Sequence, residues 1–206
     1  MKIDKIASNL LIILSFLSLN SKAQECASNY DDPWKWASQA TWFTGNGLFI
    51  NFPDGTGAPT FSTKAHSDGD DALNDAYEGT TAISDNKGNL LAWSNGRSFW
   101  REDGGDGILV ADNLKAGNEG GSVAERSSAV QGIVAVRHPN IPNKIFVFTS
   151  DDALTNTALG LNYTVYDLDD HTMTNPVRLL TDIGATFRTT EQIDAGFHAN
   201  GNDIWV

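Results

Sequence analysis

The stretch Leu90-Leu91-Ala92-Trp93-Ser94-Asn95-Gly96-Arg97-Ser98-Phe99-Trp100 decides the fold class. Two apolar arms flank Asn-Gly, a pair that tolerates positive φ at both central positions of a type I′ turn, so the segment predicts a β-hairpin with a two-residue turn. Alternation along the arms lets Trp93, Phe99 and neighbouring apolar groups share sheet faces. Outward from this hairpin the same pattern recurs. Short apolar bursts bounded by Gly, Asn, Asp and Pro predict strands at Ala40–Phe43, Leu48–Phe52, Thr80–Ser84, Leu90–Ser94, Arg97–Arg101, Val130–Arg137, Lys144–Ser150, Leu161–Asp167, Val177–Leu180, Gln192–His198 and Asp203–Val206. Helical spacing is nearly absent between them. Pro53–Asn74 and Glu102–Glu125, rich in Gly and acids, read as long loops.

Three segments repeat one another. Ala82-Ile83-Ser84-Asp85, Ala135-Val136-Arg137-His138 and Ala195-Gly196-Phe197-His198 each end a strand, and each is followed by a Gly/Asn/Pro turn and an aromatic-bearing or Leu-rich strand. The turn positions Asp85, His138 and His198 are separated by 53 and 60 residues. Propeller blades run about 40–50 residues before insertions, and a four-stranded blade needs two hairpins per repeat. The expected fold is therefore all-β, a partial β-propeller-like array of about three antiparallel blades; a β-sandwich with coincidental hairpins is the alternative. Three blades do not close a ring, so the array is expected to be incomplete at its C-terminal end, where Ile204-Trp205-Val206 stops inside a strand.

The first 23 residues predict a secretory signal. Lys2 and Lys5 precede the apolar run Leu10–Leu19, and Ser21 and Ala23 put small residues where a signal peptidase reads. That run is short of the roughly 20 residues that span a bilayer. Cleavage after Ala23 leaves Gln24–Val206 as one domain, with no membrane span expected. Cys26 is the sole cysteine, so no internal disulfide forms, and Glu25 before it does not fit lipidation. The whole chain carries a net charge of −12; removal of residues 1–23, which hold Lys2, Lys5 and Lys22 against Asp4, makes it −14. Nucleic acid and anionic membrane surfaces are excluded as main partners on that sign.

The sequence holds no H-E-x-x-H, P-loop or G-x-S-x-G motif, and Gly120–Ala124 only approaches the last. Asp68, Asp70, Asp71 and Asp75 crowd one segment, but Ala72 falls where a calcium loop needs a third oxygen, so a solvated acidic loop is expected. His138 and His198 read as turn residues bonded to nearby backbone. Trp93, Trp100 and Trp205 read as core, while Trp34, Trp36 and Trp42 read either as a capping strand or as an exposed patch. No catalytic residue, cofactor or metal site is expected.

Several segments resemble large exported surface proteins of the Bacteroidota. Glu78–Leu91 is similar to their E-G-x-A-x-I-S-D-x-x-G-x-L-L segment, Ser127–Gln131 to S-S-T-Q-S, Ile145–Thr149 to Y-Y-I-F-T, Leu161–Leu168 to L-x-Y-S-x-V-D-M, and His198–Val206 to H-A-N-G-x-D-Y-W-V. The resemblance implies an N-terminal propeller-like region in a protein of the gliding-motility and type IX secretion kind. The Ser94-Asn95-Gly96 stretch departs from it, where those proteins tend to carry an aspartate before the glycine. What it implies is display or release at the cell surface as a non-enzymatic binding or adhesion module for a protein or glycan. A glycan-active enzyme with central carboxylates, drawn from Glu78, Asp85, Glu125 and Glu191, is the alternative.

An incomplete array exposes apolar faces and unpaired strand edges. Residues 24–206 prepared alone are expected to give a mass above that of a monomer in light scattering, with a broad melt; a sharply melting monomer would contradict the incomplete-array reading.

Overall fold

The computed structural model describes residues 40–45, 47–52, 58–64, 79–112, 114, 131–150, 160–179, 192–198 and 202–206. The expected signal segment 1–23, Cys26, Trp34, Trp36, Asp68, Asp70, Asp71, Asp75, Glu78, residues 120–124, Glu125 and Glu191 lie outside them. Among the described residues there is no helix, and fourteen strands form four antiparallel sheets.

The first sheet is β1 (Thr41–Phe43), β2 (Leu48–Asn51) and β3 (Thr60–Thr63), in that order. The second is a four-stranded meander: β4 (Thr81–Ser84), β5 (Leu90–Ser94), β6 (Phe99–Arg101) and β7 (Ile108–Ala111). The third joins β8 (Ile133–Arg137), β9 (Lys144–Thr149) and β10 (Asn162–Asp167), with β11 (Thr172–Met173) and β12 (Val177–Arg178) both paired to β10. Its fourth position is split because Pro176 cannot donate a ladder hydrogen bond. Thr174, just before the break, still bonds back to Val165 through its backbone N–H, at 3.0 Å, and its Oγ1, at 2.9 Å. The last sheet is β13 (Gly196–Phe197) with β14 (Ile204–Trp205).

All four sheets are sequential meanders, and the first three stack in chain order with first strands adjacent. β1 lies against β4, and β4 against β8. Side chains tie these neighbours: Thr80 Oγ1 donates to the Phe43 carbonyl at 2.6 Å, and Thr81 Oγ1 accepts from the Ala135 N–H at 3.0 Å. Period-two alternation sends successive residues of β5 and β6 to opposite faces. Trp93 and Trp100 face the first sheet and pack with Phe43 and Phe49, while Ala92 and Phe99 face the third and pack with Ile133, Ile145, Val147 and Tyr166. The second sheet thus has apolar contacts on both faces, as a blade within a propeller-like array does and a sheet of a two-layer sandwich does not.

The repeat positions correspond as the sequence implied. The N–H groups of Asp85, His138 and His198 each bond a carbonyl at or just before the start of the following strand, that of Asn89, Lys144 and Asp203 respectively.

Four expectations need correction. The hairpin turn is not a two-residue type I′ turn: Trp93 pairs with Trp100 and Ser94 with Phe99, leaving a four-residue loop in which only Gly96 has positive φ. The Asn95 side chain causes this. Its Oδ1 accepts from the N–H groups of Arg97, at 3.1 Å, and Ser98, at 2.9 Å, making an Asx-type turn that holds two more residues. Trp93 therefore shares a face with Trp100, not with Phe99. The supposed loops Pro53–Asn74 and Glu102–Glu125 contain β3 and β7. The first was hidden because its TFST strand is exposed at every residue and the second by the flanking glycines. Finally, Trp205 is not core but 67 % exposed, because no described sheet covers the β13–β14 pair.

Gly107, at the entry to β7, has φ of +87°, and a Cβ there would meet the Trp93 ring at 2.3 Å. Gly104 has the same φ and open space around it. Gly104→Ala is expected to cost about 1–2 kcal/mol of backbone strain, and Gly107→Ala about 1–3 kcal/mol more for the overpacked tryptophan. Equal losses in thermal melts would show that Trp93 is not held against this turn.

Candidate functional site

The second and third sheets meet over apolar residues, and stacked twisted sheets tend to diverge toward their corners. At the end that carries the Asp85, His138 and Leu168–His171 turns they leave an open cleft of about 330 Å³. Leu90, Leu91 and Leu168 give it apolar walls. Its polar groups are Asp85, Arg101, Glu102, Arg137, Tyr166 and His171, drawn from both sheets and their turns.

The two acids are already engaged. Asp85 Oδ1 accepts the Lys87 N–H at 2.7 Å and the Asn89 N–H at 2.9 Å, and its Oδ2 accepts from Asn89 Nδ2 at 2.8 Å. Burial pushes the Asp85 carboxyl up, but the bonds from the Asn89 side chain and the two backbone N–H groups outweigh it and hold it below the usual carboxylate range. Glu102 takes Lys64 Nζ at 2.9 Å and the Gly104 N–H at 2.8 Å.

The bases are less occupied. Arg137 spends one N–H on the Pro142 carbonyl at 2.6 Å. Burial lowers the Arg137 pKa, partly countered by the Asp85 charge; an arginine stays protonated regardless. The Arg101 guanidinium makes no hydrogen bond or ion pair among the described residues. It is close enough to draw the Tyr166 hydroxyl down, although burial is the larger effect and pushes that hydroxyl up. The Tyr166 hydroxyl meets His171 Nδ1 at 3.2 Å, and His171 holds a left-handed φ of +54°, uncommon for a residue other than glycine.

The sequence singled out Asp85 here, but not Arg101, Arg137, Tyr166 or His171. Arg137 did carry a signal: it stands where the other two repeats have Ser84 and Phe197. His138 sits in its turn as expected, its Nδ1 accepting the N–H groups of Asn140 and Ile141, both at 3.1 Å, as Asp85 Oδ1 does in the preceding repeat. The exposed-patch reading of Trp42 holds. Trp42, Ile50 and Phe61 form one cross-strand row on the outer face of the first sheet, with Trp42 57 % and Phe61 67 % exposed.

No family model, curated protein or solved structure matches the chain.

Because His138 Nδ1 accepts two hydrogen bonds, the ring is neutral in the fold, and its pKa is lowered first by burial and then by the Lys144 charge. The unfolded imidazole titrates near 6.5, so between that value and the lower folded one the unfolded chain binds more protons. Stability contributed by this turn is present above about pH 6.5 and is lost as pH falls through the folded value. His138→Asp, which copies Asp85, is expected to flatten that acid slope. The wild-type melting temperature should drop between pH 7 and pH 5 by the equivalent of about 1 kcal/mol more than the variant's. Parallel curves would show that His138 is not the neutral acceptor.

Proposed function

We propose that the chain is an exported cell-surface binding module that takes its ligand, a glycan or a protein, in the cleft between the second and third sheets. One observation carries this reading: the cleft offers guanidinium donors on apolar walls while its two acids are committed to turn backbone and Lys64. A concavity that sets convergent polar groups against apolar walls is the usual form of a small-ligand site. The bonded, depressed Asp85 carboxyl suits a turn anchor better than the raised-pKa acid that glycoside hydrolysis needs, which favours binding over the enzymatic alternative. The N-terminal signal pattern and the resemblance to exported Bacteroidota proteins support display outside the cell. Among the described residues no helix is long and apolar enough to cross a membrane.

Leu168→Trp places a bulky ring at the cleft wall. Binding of the secreted chain to an array of immobilised glycans and surface proteins is expected to fall at least tenfold in this variant, with its melt showing a folded protein. Unchanged binding would remove the cleft as the site, and release of shortened glycan from the array would overturn the non-enzymatic reading.

A further inference from the structure

We infer that the cleft recognises an acidic sugar, whose carboxylate or sulfate oxygens are held by Arg101 and Arg137. This rests on the binding reading above and names the chemistry of its ligand.

The charge balance of the cleft points to an anion. Arg101 comes from β6 in the interior of the second sheet and Arg137 from β8 at the edge of the third, and both line the same space. Glu102 is neutralised from outside the cleft by Lys64, at 2.8 Å, and Asp85 has its oxygens filled by Lys87 and Asn89 donors. Neither acid forms an ion pair with either arginine, the closest relation being the longer-range attraction between Asp85 and Arg137. A partly desolvated guanidinium without a bonded counter-ion is costly, and an oxyanion entering between two such groups relieves that cost through charge-assisted, two-point hydrogen bonds.

The shape of the cleft points to a sugar over an acidic peptide. Peptides add to a free strand edge or lie in a helix groove. Here β5, β6 and β10 are each paired on both sides, and the edge strand β8, which carries Arg137, lies against β4 with its Ala135 N–H taken by Thr81 Oγ1; the rest of the wall is turn. The space, about 330 Å³, is at the small end of ligand pockets. Leu90, Leu91 and Leu168 offer apolar surface for a ring's C–H face beside the Tyr166–His171 pair. The chain's net charge of −12 also opposes dense polyanions, so recognition is confined to ligands whose acid groups fit this cationic spot.

The test is calorimetric titration of the secreted chain with four probes: an oligogalacturonate, a sulfated galactan oligomer, a neutral galactan oligomer and a poly-glutamate peptide. Acid-sugar binding that weakens with added salt is expected, with the uronate and sulfate arms identifying the oxyanion. Arg101→Gln should weaken it at least tenfold and Arg101→Lys less, while Arg137→Lys, which keeps the charge but loses the fork, should weaken it several-fold without lowering the melting temperature by more than a few degrees. Equal affinity for the neutral oligomer, binding of the peptide alone, indifference to Arg101→Gln, or no acid-sugar binding at all would each overturn the inference. The binding reading would survive any of these if another array ligand still binds and is lost in Leu168→Trp, and would fail if Leu168→Trp changes nothing.

Discussion

The second sheet has to bury both of its faces, and the arrangement of the described sheets follows from that. Trp93 beside Trp100, with ring centroids 6.4 Å apart, fills one face, and Phe49 meets Trp93 edge-on at 5.2 Å from the first sheet. Phe99 and Tyr166, at 5.0 Å, close the other face against the third sheet. Fully burying such side chains contributes on the order of 1.5–3 kcal/mol each, which is large against a typical net stability of about 5–15 kcal/mol. Neither face can be left to water, so a sheet must stand on each side. The short strands, only three to five residues in this sheet, are sufficient because each one is sandwiched.

The register that makes this possible is held by small polar groups in one loop. The Asn95 side chain fixes Arg97 and Ser98, Ser94 Oγ bonds the Ser98 carbonyl, and Ser98 Oγ donates to Asp112 at 2.7 Å. Slipping the pair by one residue would turn Trp100 to the face that Phe99 occupies and destroy both interfaces together. The existence of the hairpin was legible because Asn-Gly between apolar arms marks a reversal. Its register was not, because a side-chain acceptor competed with the backbone geometry that the dipeptide alone suggests. The repeat was legible for the complementary reason. Asp85 and His138 are chemically unlike, yet each places one acceptor over two N–H groups of the turn that follows it, the one two positions on being common to both, so position carried more information than identity.

Strands and faces that escaped the sequence reading share one physical cause: their pairing depends on partners rather than on their own pattern. Thr60–Thr63 is exposed at every residue and is a strand because β2 offers it a ladder. Ile108–Ala111 is half-buried throughout, without alternation, and meets β6 across a bulge between Phe99 and Trp100. Trp205 has a strand's pattern but only one neighbour among the described strands, so period two predicted a side without predicting cover. The same holds for the cleft. Arg101 and Arg137 are 36 positions apart on different sheets, and nothing local to either marks a site.

The interface and the cleft are two consequences of one stacking. Where Ala92 and Phe99 meet Ile145, Val147 and Tyr166, the sheets are pressed together by side chains that leave no room for a ligand. One step further along the same strands come Arg101, Arg137, Asp167 and the turns, residues that must reach water to keep their charges solvated. Apolar residues at the middle of each strand and ionic ones at its end therefore seal the stack in one place and open it in the next. Tyr166 sits at the boundary: its ring lies in the core against Phe99, and its hydroxyl is turned to His171 at the cleft. A change at that single residue acts on packing and on the cleft together, so the chemistry of the cleft is better probed at Arg101, whose head group no described residue needs for a hydrogen bond.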